Sequence, residues 1–214
     1  NFDGKIALQN GRGRFETLKL DMFDGRISAD GSTVDLNPNP PRFALKTKFQ
    51  NIHLGKMIAF QSPAIGNRFD GHGSMDINLE GQGLSWAQMA PQLAGQIGMV
   101  FADGKLKTPS IGGAALSQLF AKVPGLGVAA PALTTEEISL RNLSTNIRVT
   151  DGQLKTTAPL SLNTQNGNLQ VSGGIGLDGR LALTGIIGIP AEVIAQVTQG
   201  RIRLTGPLPV SLKL

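Results

Sequence analysis

Residues 137–190 constrain the fold more than any other stretch, because apolar residues alternate with polar ones there and turn dipeptides fall between the alternating runs. A period of two puts alternate side chains on opposite faces of a strand, and Asp-Gly or Asn-Gly between two such runs signals a type I′ hairpin. A two-residue turn at Asp151-Gly152 pairs Val149 with Leu154. The same arithmetic at Asn166-Gly167 sets Thr164 opposite Leu169 and Leu162 opposite Val171. At Asp178-Gly179 the count changes: Ile175, Leu177, Leu181 and Leu183 share a parity, so they share a face only across a connection of odd length or a bulge. The result is a β-meander. Its apolar face carries Ile147, Val149, Leu154, Leu162, Leu169, Val171, Ile175, Leu177, Leu181 and Leu183; its polar face carries Arg148, Lys155, Asn163, Gln170 and Arg180.

The first fifty residues follow the same pattern. Asn10-Gly11 pairs Ile6 with Phe15, and Asp24-Gly25, read as a two-residue turn, pairs Met22 with Ile27 and Leu20 with Ala29. Slips in parity predict bulges near Thr17 and Gly31. Pro38, Pro40 and Pro41 end a strand, after which Phe43, Leu45, Thr47 and Phe49 resume the alternation. Leu54, Met57, Ile58 and Phe60 form a short helical stripe that stops before Pro63, and residues 84–89 a second short helix with Trp86. Asp103-Gly104 reads as a hairpin turn that sets Phe101 against Leu106. Residues 113–123 have the clearest helical period: Leu116, Leu119, Phe120 and Val123 stand at i, i+3, i+4 and i+7, which predicts a helix lying on the apolar face or across its end. A last short helix is expected at residues 191–197, and the last strands at 201–214. The fold class is therefore mainly β: a twisted antiparallel meander that forms a curved groove or open barrel, with a few short helices on an end or face.

Composition narrows the function. With 28 glycines, aromatics at 5%, one Trp and no Tyr, the chain lacks the stacking platforms of sugar or single-strand binders. The net charge of +5 is spread over polar positions of alternating runs, such as Lys46, Lys48, Arg141, Arg201 and Arg203, so it marks a solvated sheet face and not a nucleic-acid patch. No cysteine is present, which removes thiol chemistry and cysteine-ligated metals. The two histidines, His53 and His72, and the pair Glu136-Glu137 make no catalytic constellation by sequence. No enzyme activity, metal or cofactor is expected. No apolar run reaches the roughly 18 residues of a membrane span. The chain reads as a single β-rich domain over 1–214, excised from a longer protein.

Two segments together resemble a known family. One has Leu93-Ala94-Gly95 leading to Phe101, then Asp103-Gly104-Lys105-Leu106 and the stripe with Leu116 and Leu119. The other runs from Thr134-Thr135 through Leu143, Asp151-Gly152-Gln153-Leu154, Leu160 and Val171-Ser172-Gly173-Gly174-Ile175 to Gly179-Arg180-Leu181. This order is similar to the C-terminal region of the AsmA family of bacterial envelope proteins, most closely over 77–189, with the first half alike in style. The resemblance implies a β-groove related to bridge-like lipid-transfer proteins: a periplasmic module, anchored in the inner membrane by a segment outside these residues, that binds phospholipid or another acyl-chain lipid and supports outer-membrane integrity. Other envelope proteins are expected as partners, and nucleic acid is not. The ten apolar residues of the meander would then line the groove, with Leu116, Leu119, Phe120 and Val123 packing a helix onto it. The competing expectation is a closed β-sandwich or barrel, an adhesin-like scaffold with no ligand, whose apolar face is only its core.

Overall fold

The computed structural model describes residues 1–108, 136–164, 167–178 and 180–213. The helix expected at 113–123, with Leu116, Leu119, Phe120 and Val123, lies outside the described residues. The described chain begins with strands β1 (Phe2–Gln9), β2 (Arg12–Met22), β3 (Gly25–Ser28), β4 (Thr33–Asp35) and β5 (Arg42–His53). Helices α1 (Leu54–Gln61) and α2 (Pro63–Gly66) follow, then β6 (Phe69–Asp70) and β7 (His72–Gln82). Helix α3 (Trp86–Met89) and a 3-10 turn (Ala90–Gln92) lead to β8 (Ala94–Phe101) and β9 (Lys105–Thr108). The rest comprises β10 (Glu136–Ser139), β11 (Leu143–Thr150), β12 (Gln153–Thr156), β13 (Leu160–Thr164), β14 (Gly167–Gly176), β15 (Leu181–Ile189), α4 (Ala191–Val197) and β16 (Leu208–Lys213).

These sixteen strands form one antiparallel sheet, mainly β as expected and not a closed barrel. Its main path runs β1-β2-β3-β5-β7-β8-β11-β12-β14-β13-β10-β9-β6, with β4 alongside β2 and β5, and β15 and β16 continuing from β14. Only Gly71 separates β6 from β7 in the chain, yet the two stand at opposite ends of the run from β7 to β6. That run of the sheet must therefore roll back towards its own start. Inside the roll sits a cluster of Ile138, Leu140, Leu162, Leu169, Ile187, Ile189 and Ile194, with Phe69, Phe101, Leu106, Leu160 and Val171 packed against it. The β1–β5 region is different: every residue of β1 is exposed.

Turn chemistry explains which expected registers hold. Asn10 and Gly11 both have positive φ (49° and 72°), as do Asp151 and Gly152 (50° and 70°), so these are two-residue turns that pair Ile6 with Phe15 and Val149 with Leu154 as expected. A shift in register at Lys5/Ile6 gives the bulge predicted near Thr17. Across Asp178, Ile175 pairs with Leu181, the odd-length connection that their shared parity demanded.

Three expected pairings are corrected. In the second hairpin Phe23 and Asp24 carry the positive φ (55° and 62°), so Met22 pairs with Gly25 and Leu20 with Ile27. Gly25 is a strand residue whose missing side chain admits a neighbour, since a Cβ there would overlap the carbonyl oxygens of Gln50 and Asn51. Gly167 plays the same part in β14, where a Cβ would overlap the Gly188 carbonyl; Thr164 pairs with Gly167 itself, Leu162 with Leu169 and Leu160 with Val171. Finally, β8 and β9 are not a hairpin. Phe101 pairs with Gly73 and Leu143, whereas Leu106 pairs with Phe69 and Ile138. The chain leaves β8 at Ala102, whose N–H donates to the His72 carbonyl, and His72 N–H donates to Asp103 Oδ1 at 2.7 Å. Helices α1, α3 and α4 lie where short helical stretches were expected, although residues 201–207 are not strand.

Candidate functional site, an open apolar face

Register places the apolar side chains in continuous rows across the sheet. Leu20, Ile27, Phe49, Met75, Met99 and Thr145 are successive cross-strand partners from β2 to β11. A second row runs Thr47, Ile77, Ile97, Ile147, Thr156, and a third Leu45, Leu79, Gly95, Val149, Leu154, Ile175. No charged residue stands in these rows, and their only polar members are three threonines. From β2 to β12 the path has six strand spacings, about 29 Å at 4.8 Å each, which is close to the roughly 30 Å depth of a bilayer's hydrocarbon core. The opposite face alternates strictly: Lys46, Asn78, Gln96, Arg148 and Lys155 form its matching row, and Lys48 and Asp76 pair at 3.8 Å.

The apolar face is only half covered. Leu45 is 38% and Ile175 43% exposed, while Met75, Ile77, Leu79, Ile97, Met99, Ile147 and Leu154 are half-buried. Among the described residues no full second layer lies over these side chains, as the core of a sandwich would require. One end is capped. Leu54 and Met57 of α1 meet Phe49, Ile52, Met75, Met99 and Phe101 around a small crevice. Methionines suit such a surface, because their unbranched thioethers repack around different shapes.

The ten residues expected to line a groove fall into two settings. Ile147, Leu154, Leu177 and Leu183 are half-buried and Ile175 is exposed, whereas Val149, Leu162 and Leu169 are buried, with Val171 packed against the cluster that holds the latter two. Leu181 is placed by its register opposite Ile175. Sequence reasoning missed the larger part of the open face, from Leu20 to Met99. Its signal was present in the alternation of residues 43–49 and 72–82.

Polar side chains gather at the α1 end, on the outer face. His53 and His72 are cross-strand partners with ring centroids 5.1 Å apart in an edge-to-face arrangement. His53 Nε2 lies 3.7 Å from Asp70, and His72 Nδ1 lies 3.6 Å from Asp103. His53 Nδ1 also accepts the Lys56 N–H at the start of α1, and Lys56 Nζ reaches Asp24 at 2.5 Å. That ammonium holds the Asp24 carboxyl below its ordinary value; the His72 backbone N–H does the same, first of several causes, for Asp103. The pairing joins two histidines that are far apart in the chain. No group of three or more His, Asp or Glu able to hold a metal occurs among the described residues. Nor is any helix among them long and apolar enough to cross a membrane.

A single antiparallel sheet with one uncharged face, rolled at one end and open at the other, defines a β-groove protein. The AsmA family profile matches residues 1–159, and the chain belongs to the AsmA family. The match begins at residue 1, so the family pattern extends through the first half, beyond the stretch whose motifs resembled it most. Neither the curated proteins nor the solved structures contain a significant match.

Proposed function

We propose that the chain is a non-enzymatic lipid-binding module of the bacterial envelope, whose open apolar face holds acyl chains of phospholipid in transit between membranes. One observation carries this reading: three uncharged rows, which together reach from β2 to β14, are left partly exposed. Water contact at such a surface is unfavourable, and each methylene removed from water contributes about 0.8 kcal/mol, so bound chains need no catalytic or strongly polar group. AsmA membership supports the envelope setting. On this reading the module works in the periplasm, tethered to the inner membrane by a segment outside these residues, and nucleic acid is not a partner. A closed scaffold is less favoured, because the sheet is not a closed barrel.

Adjacent strand positions supply matched controls, since Ile97 belongs to the apolar rows and Gln96 to the opposite face. A photo-crosslinking residue at position 97 should capture phospholipid, and the same residue at 96 should not. Equal capture, or none from either position, would reject the groove. Ile147→Glu should impair lipid capture yet leave the protein folded, because the site is half-exposed; global unfolding would mean that the face is a closed core.

A further inference from the structure

On its outer face β14 carries no side chain at Gly174 and Gly176, which the register sets beside Lys155 and Gln153 of β12. Ala182 of β15 continues this bare strip. A cleft of about 930 Å³ opens over it at the strand ends, next to the third apolar row, and Trp86, 57% exposed, lines its wall with Ala90 and Pro91. That volume suits a small organic ligand.

Charges of both signs meet in the cleft. Lys155 leans over Gly174, since a Cβ on that glycine would stand 3.0 Å from Lys155 Cγ. Asp178 lies over Gly176, where a Cβ would overlap its Oδ1. Two residues of strand separate these glycines, about 6.6 Å. Arg180 Nε stands 3.3 Å from Asp178 Oδ2, which leaves its Nη groups uncommitted among the described residues. The Leu177 N–H donates to the Gly152 carbonyl at 2.7 Å and so ties in the turn that carries Asp151. Among the described residues Asp151 accepts only the Thr150 hydroxyl and meets no cation. Lys155 meets no carboxylate there, and its cross-strand neighbour is another cation, Arg148.

We propose that this cleft binds the phosphate–ammonium zwitterion of a phospholipid headgroup: Lys155 and Arg180 hold the phosphate, and Asp151 with the Trp86 ring holds the ammonium. The chemistry of the cleft stands without the groove; that its ligand comes from a membrane rests on the lipid-groove reading. Phosphate accepts charge-assisted hydrogen bonds from ammonium and guanidinium groups, and it relieves the repulsion between Arg148 and Lys155. A substituted ammonium is drawn to a carboxylate and to an indole face alike. A neutral sugar would leave these charges uncompensated, and a simple anion would leave Asp151 so.

Trp86 is the chain's one tryptophan, so its fluorescence reports on this cleft alone. Glycerophosphocholine, which has no acyl chain, should change that fluorescence saturably and bind about fivefold more tightly than glycerol phosphate or choline, each of which offers one charge. Glucose should have no effect. Lys155→Gln should weaken glycerophosphocholine about threefold and leave choline unaffected; Asp151→Asn should weaken it as much and leave glycerol phosphate unaffected. Both side chains are exposed, so neither variant should melt lower than wild type. Phosphatidylcholine vesicles should shift the emission to the blue, and glycerophosphocholine should reverse that shift. Equal binding by wild type and both variants, or tighter binding of glucose than of the zwitterion, would overturn the site. A vesicle shift that the soluble headgroup fails to reverse, or no shift at all, would overturn the membrane source. Lipid capture at position 97 reads the groove independently.

Discussion

Gly25 shows how one residue decides a register. Asp24-Gly25 has the composition of a turn, but the left-handed positions fall on Phe23 and Asp24, and Gly25 serves a close approach by β5. Gly25→Ala should therefore destabilise the protein by about 2 kcal/mol, the usual scale of overpacking, measured by urea denaturation; an unaffected midpoint would return Gly25 to the turn. Asp103 works by charge. Its carboxylate accepts the His72 N–H where β8 departs, and this bond chiefly holds its pKa below the ordinary 3.8. A lowered folded-state pKa gives stability that is complete above the ordinary value and lost as pH falls through the lowered one. Asp103→Asn should therefore melt below wild type at pH 7, and the gap should close as the pH falls through the carboxylate's lowered pKa. A gap that is constant with pH would show that the carboxylate's charge is not what matters.

Among the elements, α4 rests on a buried hydroxyl. Thr198, 1% exposed, donates to the Ile194 carbonyl at 2.7 Å and accepts the Ile202 N–H at 3.2 Å, so it closes the helix and fixes the chain that leaves it. Thr198→Val keeps the shape but leaves the part-buried Ile202 N–H unpaired, and should cost about 1–3 kcal/mol in thermal unfolding. A cost near zero would mean that water replaces the hydroxyl. Local patterns made much of this architecture readable. Asn10-Gly11 and Asp151-Gly152 declare their hairpins because both turn positions need positive φ and suit the residues found there. Phe23 at positive φ breaks the usual preference, which is why the neighbouring hairpin was read two residues out of register. The departure of β9 from β8 was illegible for another reason: its partners Phe69 and Ile138 lie far away in the chain, and no local signal names them. The apolar face was likewise legible by parity, whereas its division into open rows and a closed cluster was not. Parity tells which side chains share a face but not what packs over them.

Across the whole molecule the two regimes of packing should differ in dynamics. The cluster inside the roll gathers Leu169, Ile187, Ile189 and Ile194 at 2% exposure or less, whereas β1 has no buried residue and shows Phe2, Ile6 and Leu8 at 71%, 53% and 79% exposure. Local opening is easiest where few apolar contacts are lost and backbone hydrogen bonds face water. Amide exchange should therefore be slowest in β13–β15 and fastest in β1–β4, although one ladder joins them. If the central rows hold lipid, adding phospholipid should slow exchange most in β5, β7, β8 and β11, whose side chains gain a covering, and little in β13–β15, whose core is already packed. Uniform protection across the sheet in lipid-free protein would show that the β1–β5 region is as cooperatively packed as the roll. Slowing confined to β13–β15 on adding lipid would move the binding face to the strands around that cluster.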